Sequence, residues 1–125
     1  MTPHLSYVIV FVSNMDLSVA FYRDTLGFKL RFASPGWTEF ETGSTVLALH
    51  PGEPGTKPPE PLTAATADLG IMVPNLDDFY RDMQTKGVNF TMPPTKQEYG
   101  GRLARFLDPD GLSIDLSEPY EAGAH

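Results

Sequence analysis

Val12-Ser13-Asn14-Met15-Asp16-Leu17-Ser18-Val19-Ala20-Phe21-Tyr22-Arg23-Asp24-Thr25-Leu26-Gly27-Phe28 is the stretch whose reading decides the fold. Just upstream, Ser6 to Val12 is apolar and rich in β-branched and aromatic residues, the composition of a strand. That strand runs directly into Ser13, Asn14, Met15 and Asp16, which read as a turn and an N-cap. From Leu17 to Leu26 no Pro or Gly interrupts a helix, and Gly27 supplies its stop. Leu17, Ala20 and Phe21 share one face of it and are predicted to be its packed side. A strand therefore feeds a short helix.

Working outward, Phe28 to Phe32, Trp37 to Glu41 and Thr45 to His50 are three strand candidates, separated by the turns Ser34-Pro35-Gly36 and Thr42-Gly43-Ser44. The order is βαβββ. It begins again at Asp68 to Val73, after which Pro74-Asn75-Leu76-Asp77 introduces a second helix ending near Gly87. Leu76, Phe79, Tyr80 and Met83 lie at i, i+3, i+4 and i+7, the spacing of one face against a sheet. Strands are predicted at Val88 to Thr91, Gly101 to Leu107 and Ser113 to Ser117, the last two joined by the turn Asp108-Pro109-Asp110-Gly111.

Two echoes mark the duplication. Val12-Ser13-Asn14-Met15-Asp16 returns as Val73-Pro74-Asn75-Leu76-Asp77, and Phe-Tyr-Arg-Asp occurs at Phe21 to Asp24 and at Phe79 to Asp82. The first is offset by 61 positions and the second by 58, a difference close to one helical turn. Module one is thus 6–50 and module two 67–118. The intervening linker, 51–66, carries five of the chain's twelve prolines and no clear periodicity. Such a linker lets the modules pair within one chain or with those of a neighbouring chain. The residues after Pro119 read as a tail.

At 125 residues, 41% of them apolar and 20% charged, the chain has the size of one compact domain. No apolar run approaches the roughly 18 residues that span a bilayer, so a cytoplasmic protein with no membrane partner is expected. The absence of cysteine excludes disulfides, thiolate zinc sites and a Cys nucleophile, leaving only His, Asp and Glu to hold a metal. A formal net charge of -7, with scattered Lys and Arg, argues against nucleic acid and would attract a cationic ligand. No Gly-x-Ser-x-Gly elbow or phosphate loop occurs, and Asp108-Pro109-Asp110-Gly111 lacks the later acidic positions of a calcium loop.

The pattern Val-x-x-Met-Asp-Leu-Ser-x-Ala-Phe-Tyr-Arg-Asp-x-Leu-Gly-Phe, Val12 to Phe28, closely resembles the opening of glyoxalase I, bleomycin-resistance and related proteins of the vicinal oxygen chelate superfamily. Phe106-Leu107-Asp108-Pro109-Asp110-Gly111-Leu112-Ser113-Ile114-Asp115-Leu116 resembles the family's closing hairpin. The resemblance covers nearly the whole chain apart from linker and tail. It implies an α+β fold in which two βαβββ modules form a curved, partly closed mixed β-sheet with helices outside. It does not specify an activity, because the superfamily includes isomerases, epimerases, dioxygenases, transferases and proteins that only sequester ligands.

In the family's metalloenzymes the ligands lie on the first and last strands of each module and hold divalent nickel, zinc, iron or manganese. The matching motifs place those positions at Ile9, Ala48, Asp68 and Asp115. Ile9 and Ala48 have no lone pair to donate, so the usual site is half lost and no cofactor is expected. A displaced set is conceivable, because His50 lies two residues beyond Ala48 on the same strand face: His50, Asp68 and Asp115. Asp68 and Asp115 could also act as general acid and base, or pair with Arg102 or Arg105. Ile9, Phe11, Trp37, Ala48 and Tyr99 are predicted to line a ligand pocket, and Gly100-Gly101 permits close backbone approach beside Tyr99.

Three functions follow. The leading one is a homodimeric small-molecule-binding protein that sequesters a small organic ligand, a cationic one being favoured by the charge, without metal chemistry. The second is a metal-dependent lyase, isomerase or dioxygenase of glyoxalase type using the displaced site. The third is a non-catalytic interaction module.

Overall fold

A computed structural model describes residues 5–53 and 67–120. The chain divides into two compact units, Met1–Thr56 and Lys57–His125; of the linker expected at 51–66, residues 54–66 lie outside the described residues. Each unit is a βαβββ module, as the sequence predicts.

In the first unit the elements are β1 (Tyr7–Val12), α1 (Met15–Ala20) continued by a π-helical turn over Phe21–Thr25, β2 (Lys29–Ser34), β3 (Trp37–Glu41) and β4 (Val46–Pro51). They form an open four-stranded mixed sheet in the order β1-β4-β3-β2, with β1 parallel to β4 and the other pairs antiparallel. The second unit has β5 (Leu69–Met72), α2 (Leu76–Thr85), β6 (Phe90–Lys96), β7 (Arg102–Leu107) and β8 (Ser113–Ser117), arranged likewise as β5-β8-β7-β6.

The duplication extends to the caps. The side chain of Asn14 accepts from the Leu17 backbone N–H at 3.0 Å, and that of Asn75 from Asp78 at 3.0 Å. Each satisfies one of the orphan donors at its helix start. Gly27 and Gly87 end the two helical segments at φ 88 and 84, where an L side chain would be strained. From cap to glycine the first segment is one residue longer than the second, and a π turn is what accommodates a single extra residue. The caps keep an offset of 61 and the closing glycines stand at 60, so one residue is gained, whereas the Phe-Tyr-Arg-Asp echo, offset by 58, does not mark equivalent positions of the two helices.

The same geometry corrects the predicted face of the first helix. Leu17 is 56% exposed, whereas Ser18, Tyr22 and Leu26 are buried. The cap at Asn14 starts the helix earlier than Leu17, and Ser18, Tyr22 and Leu26, each four residues apart, form its inner row. Tyr22 lies nearly parallel to Phe28 at 6.3 Å and tilted against Phe40 at 6.0 Å. The predicted stripe of α2 holds: Leu76 and Met83 are buried, and Tyr80 meets Phe90 edge-on at 4.5 Å, with Phe106 5.3 Å beyond.

Each sheet therefore buries one face beneath its helix. Val10, Val12, Phe40, Leu47 and Leu49 form that face in the first unit, and Ala104, Phe106, Ile114 and Leu116 in the second. Because side chains alternate along a strand, the residues between these belong to the opposite, open face. Among the described residues no helix is long and apolar enough to cross a membrane.

Candidate functional site

Cross-strand register shows what the open face of the first sheet carries. Tyr7 pairs with Val46, Ile9 with Ala48 and Phe11 with His50 along β1 and β4, while Glu39 and Glu41 on β3 stand opposite Ala48 and Val46. Registered neighbours project to the same side, so these residues form one surface. Tyr7, Ile9 and Phe11 are 46%, 48% and 64% exposed, while the intervening Val10 and Val12 are buried. Burying one β-branched or aromatic side chain is worth about 1.5–3 kcal/mol, so an open row of three is a costly feature for a fold and a useful one for a ligand.

Aromatic contacts order this surface. The Phe11 and His50 rings meet edge-on at 5.4 Å, those of His50 and Trp37 at 6.2 Å, and Trp37 lies tilted against Tyr7 at 6.4 Å. Trp37 donates its indole N–H to Glu39 Oε2 at 2.8 Å, and Arg31 Nε lies 3.5 Å from the other carboxylate oxygen. The Glu39 side chain is only 16% exposed, so this anion is sheltered. His50 Nδ1 lies 2.7 Å from the Pro51 carbonyl oxygen, which can only accept, so Nδ1 carries the proton.

The open face of the second sheet differs in chemistry. Gly70 pairs with Asp115, and Asp115 with Arg105. Arg105 Nε donates to Asp115 Oδ1 at 2.6 Å, with side-chain exposures of 39% and 24%. That hydrogen bond raises the Arg105 pKa, partial burial of the guanidinium opposes the rise, and the charges of Asp115 and Asp68 add to it. The backbone opposite this pair is unobstructed, since a Cβ added at Gly70 would meet nothing within 4 Å. Arg102 takes no part, being bound to Asp77 at 3.1 Å and to Glu118.

The predicted residues thus fall into two groups. Ile9, Phe11, Trp37, Ala48 and His50 come together on the first sheet, with Ala48 itself fully buried. Asp68 and Asp115 belong to the second unit beside Arg105. Tyr99 also belongs there, where its ring lies 5.5 Å from that of Tyr120. Gly101 explains that pairing, because a Cβ on it would come within 2.7 Å of Tyr99 and 3.1 Å of Tyr120. The predicted close approach at Gly100-Gly101 is made by aromatic rings of the chain itself.

A divalent ion needs lone pairs from several converging side chains. Ile9 and Ala48 offer none, and Asp115 already holds a guanidinium. Among the described residues no three His, Asp or Glu side chains gather as one group that could hold a metal. The donor chemistry of these positions does not fit the family's metal centre.

Sequence reasoning missed Tyr7 and Glu39. The signal for both was strand alternation: Tyr7 precedes Ile9 by two positions, and Glu39 follows Trp37 by two. The first unit also has a groove of about 590 Å³, lined by Asn14, Asp16, Arg23, Ser34 and Thr38 among others. Its Asn14 caps α1 and its Arg23 is bound to Asp24, so its chief polar groups are engaged within the fold.

Residues 4–116 match the family model described as the Glyoxalase/Bleomycin resistance protein/Dioxygenase superfamily. The chain belongs to this superfamily. A "Bleomycin resistance protein" of Klebsiella pneumoniae is 31% identical over 112 residues, 82% of each chain. Among solved structures, a protein of unknown function from Agrobacterium tumefaciens is 28% identical with a TM-score of 0.75, covering 96% of this chain and 97% of the other. A glyoxalase/bleomycin resistance protein/dioxygenase from Nocardioides superimposes with a TM-score of 0.76 at 21% identity, covering 97% and 86%, and speaks for the superfamily fold alone.

Proposed function

We propose that this superfamily member binds and sequesters a small, flat, cationic organic ligand on the open face of its first sheet, without metal chemistry. The observation that carries the reading is the exposed row Tyr7, Ile9 and Phe11 continued by the rings of His50 and Trp37. A flat apolar ligand gains area burial and ring contacts there. The sheltered Glu39 carboxylate and a net charge of -7 favour a cation. The relative from Klebsiella pneumoniae is named for resistance to bleomycin, a cationic molecule with planar rings, and supports a ligand of that type.

On this reading Asp68 and Asp115 do no proton chemistry; Asp115 holds Arg105 in place. The protein acts as a homodimer, which shelters open sheet faces that a single chain leaves exposed. Calorimetric titration of chelator-treated protein with metal-free bleomycin tests the reading. Saturable binding, with the ligand recovered chemically unchanged, is expected. Binding that appears only after nickel, zinc, iron or manganese is restored, or recovery of an altered molecule, overturns it.

A further inference from the structure

We infer that the first sheet's open face selects flat ligands that bring N–H donors, and that the unprotonated Nε2 of His50 is the acceptor that makes this selection. The inference rests on the binding reading above and adds to it the polarity of the ligand.

The argument is a donor and acceptor count over the rings of this surface. The indole N–H of Trp37 is one of its donors, and it is spent on Glu39. The Nδ1–H of His50 is another, and it is spent on the Pro51 carbonyl. A neutral imidazole has one protonated nitrogen, so fixing the proton on Nδ1 leaves Nε2 with a lone pair. Among the described residues Nε2 has no partner. Glu39 accepts a single hydrogen bond from Trp37, while a carboxylate has about four lone-pair sites. The Tyr7 hydroxyl, the remaining polar group of the rings, can donate one hydrogen bond and accept others, so with Nε2 and Glu39 what remains beside the rings is mostly acceptor. Arg31 is the cation beside Glu39; it is half exposed and lies at ion-pair distance rather than in a hydrogen bond.

Position strengthens the count. Phe11 and Trp37 approach the His50 ring on edge-on lines at 5.4 and 6.2 Å, which restricts how the imidazole can turn. The carbonyl bond fixes the remaining freedom, so Nε2 is oriented before any ligand arrives. A flat ligand with an amino group at its rim satisfies that lone pair while its ring covers Ile9 and Phe11. A ligand with only acceptors at its rim would desolvate Nε2 without replacing the lost water, a mismatch that costs affinity.

The test uses two dyes with the same tricyclic cationic ring. Proflavine carries two free amino groups, and acridine orange has those groups dimethylated. Affinities of the intact protein and of His50→Phe are measured for both by calorimetry. The Phe variant keeps an aromatic ring at an exposed strand end and removes the acceptor. The ratio of proflavine to acridine orange affinity is expected to fall about fivefold in the variant, the effect of one hydrogen bond. A ratio unchanged within about twofold overturns the role of His50 while leaving the binding reading in place. Failure of both dyes to bind the intact protein overturns the binding reading and this inference together. A readout without ligand is the ¹⁵N spectrum of the imidazole: a protonated Nδ1 and a pyridine-type Nε2 are expected, and a protonated Nε2 in the neutral ring overturns the assignment.

Discussion

The Arg105–Asp115 pair separates a structural carboxylate from a chemically available one, and a double-mutant cycle measures which it is. The perturbation is Arg105→Ala, Asp115→Ala and the two together. The Nε–Oδ1 distance of 2.6 Å is that of a strong charge-assisted hydrogen bond, while side-chain exposures of 39% and 24% admit water. Sheltered bonds to charged groups contribute about 1.5–3 kcal/mol, and fully exposed ion pairs about 0.2–1 kcal/mol. Discounting the first for solvent screening gives a coupling of about 1 kcal/mol. Urea unfolding of the four proteins, followed by far-ultraviolet circular dichroism, yields that coupling directly. The single variants should each lose about as much as the double. Strict additivity, with a coupling below about 0.3 kcal/mol, would refute the claim that Asp115 is committed to Arg105.

Three other outcomes follow from the folded units. Ser18 Oγ is buried with no hydrogen-bond partner in the structure, so Ser18→Ala should raise stability by about 1 kcal/mol in urea titration, removing an unmet hydroxyl and improving helix propensity. Phe106 is fully buried on β7 beside Phe90 of β6, and Phe106→Ala should cost about 3–5 kcal/mol or prevent folding of the second unit. The hydrogen bond from Arg102 holds the Asp77 carboxyl below its usual pKa. A lowered folded-state pKa contributes stability that is fully present above the ordinary carboxylate value, about 3.9, and is lost as pH falls through the lowered value. Wild type should therefore lose its advantage over Asp77→Asn below about pH 4, and a constant difference from pH 7 to pH 2 in urea midpoints would contradict the assignment.

How far the sequence reaches is clearest at the helices. Asn14 and Asn75 are legible as caps because their backbone neighbours leave orphan donors that only such side chains satisfy, and Gly27 and Gly87 mark the ends by conformation. The stripe of α2 is legible because an uninterrupted 3.6-residue period points at one neighbour. The face of the first helix is misread because periodicity counted from Leu17 starts too late: the helix begins at the Asn14 cap, and its inner row is Ser18, Tyr22 and Leu26. Ser18 is then hidden in plain sight, a small polar residue on a buried face.

The site divides the same way. The gathering of Ile9, Phe11, Ala48 and His50 follows from alternation and from the parallel pairing of β1 with β4, both of which the βαβββ order implies. Alternation from Trp37 places Glu39 on the same face, but its hydrogen bond from Trp37 and its proximity to Arg31 emerge only from the folded side chains. Asp115 is placed correctly on its strand, yet its partner emerges only once β7 and β8 are in register. Tyr99 reads as a pocket residue from its turn position, whereas its ring lies against Tyr120 over Gly101.

The most direct test of the central claim is to map where metal-free bleomycin perturbs the backbone amide spectrum of the chelator-treated protein. The account predicts shifts concentrated on β1, β3 and β4, at Tyr7, Ile9, Phe11, Trp37, Glu39 and His50, with the amides of α2 unmoved. Shifts confined to the second unit, or none at ligand excess, would contradict it.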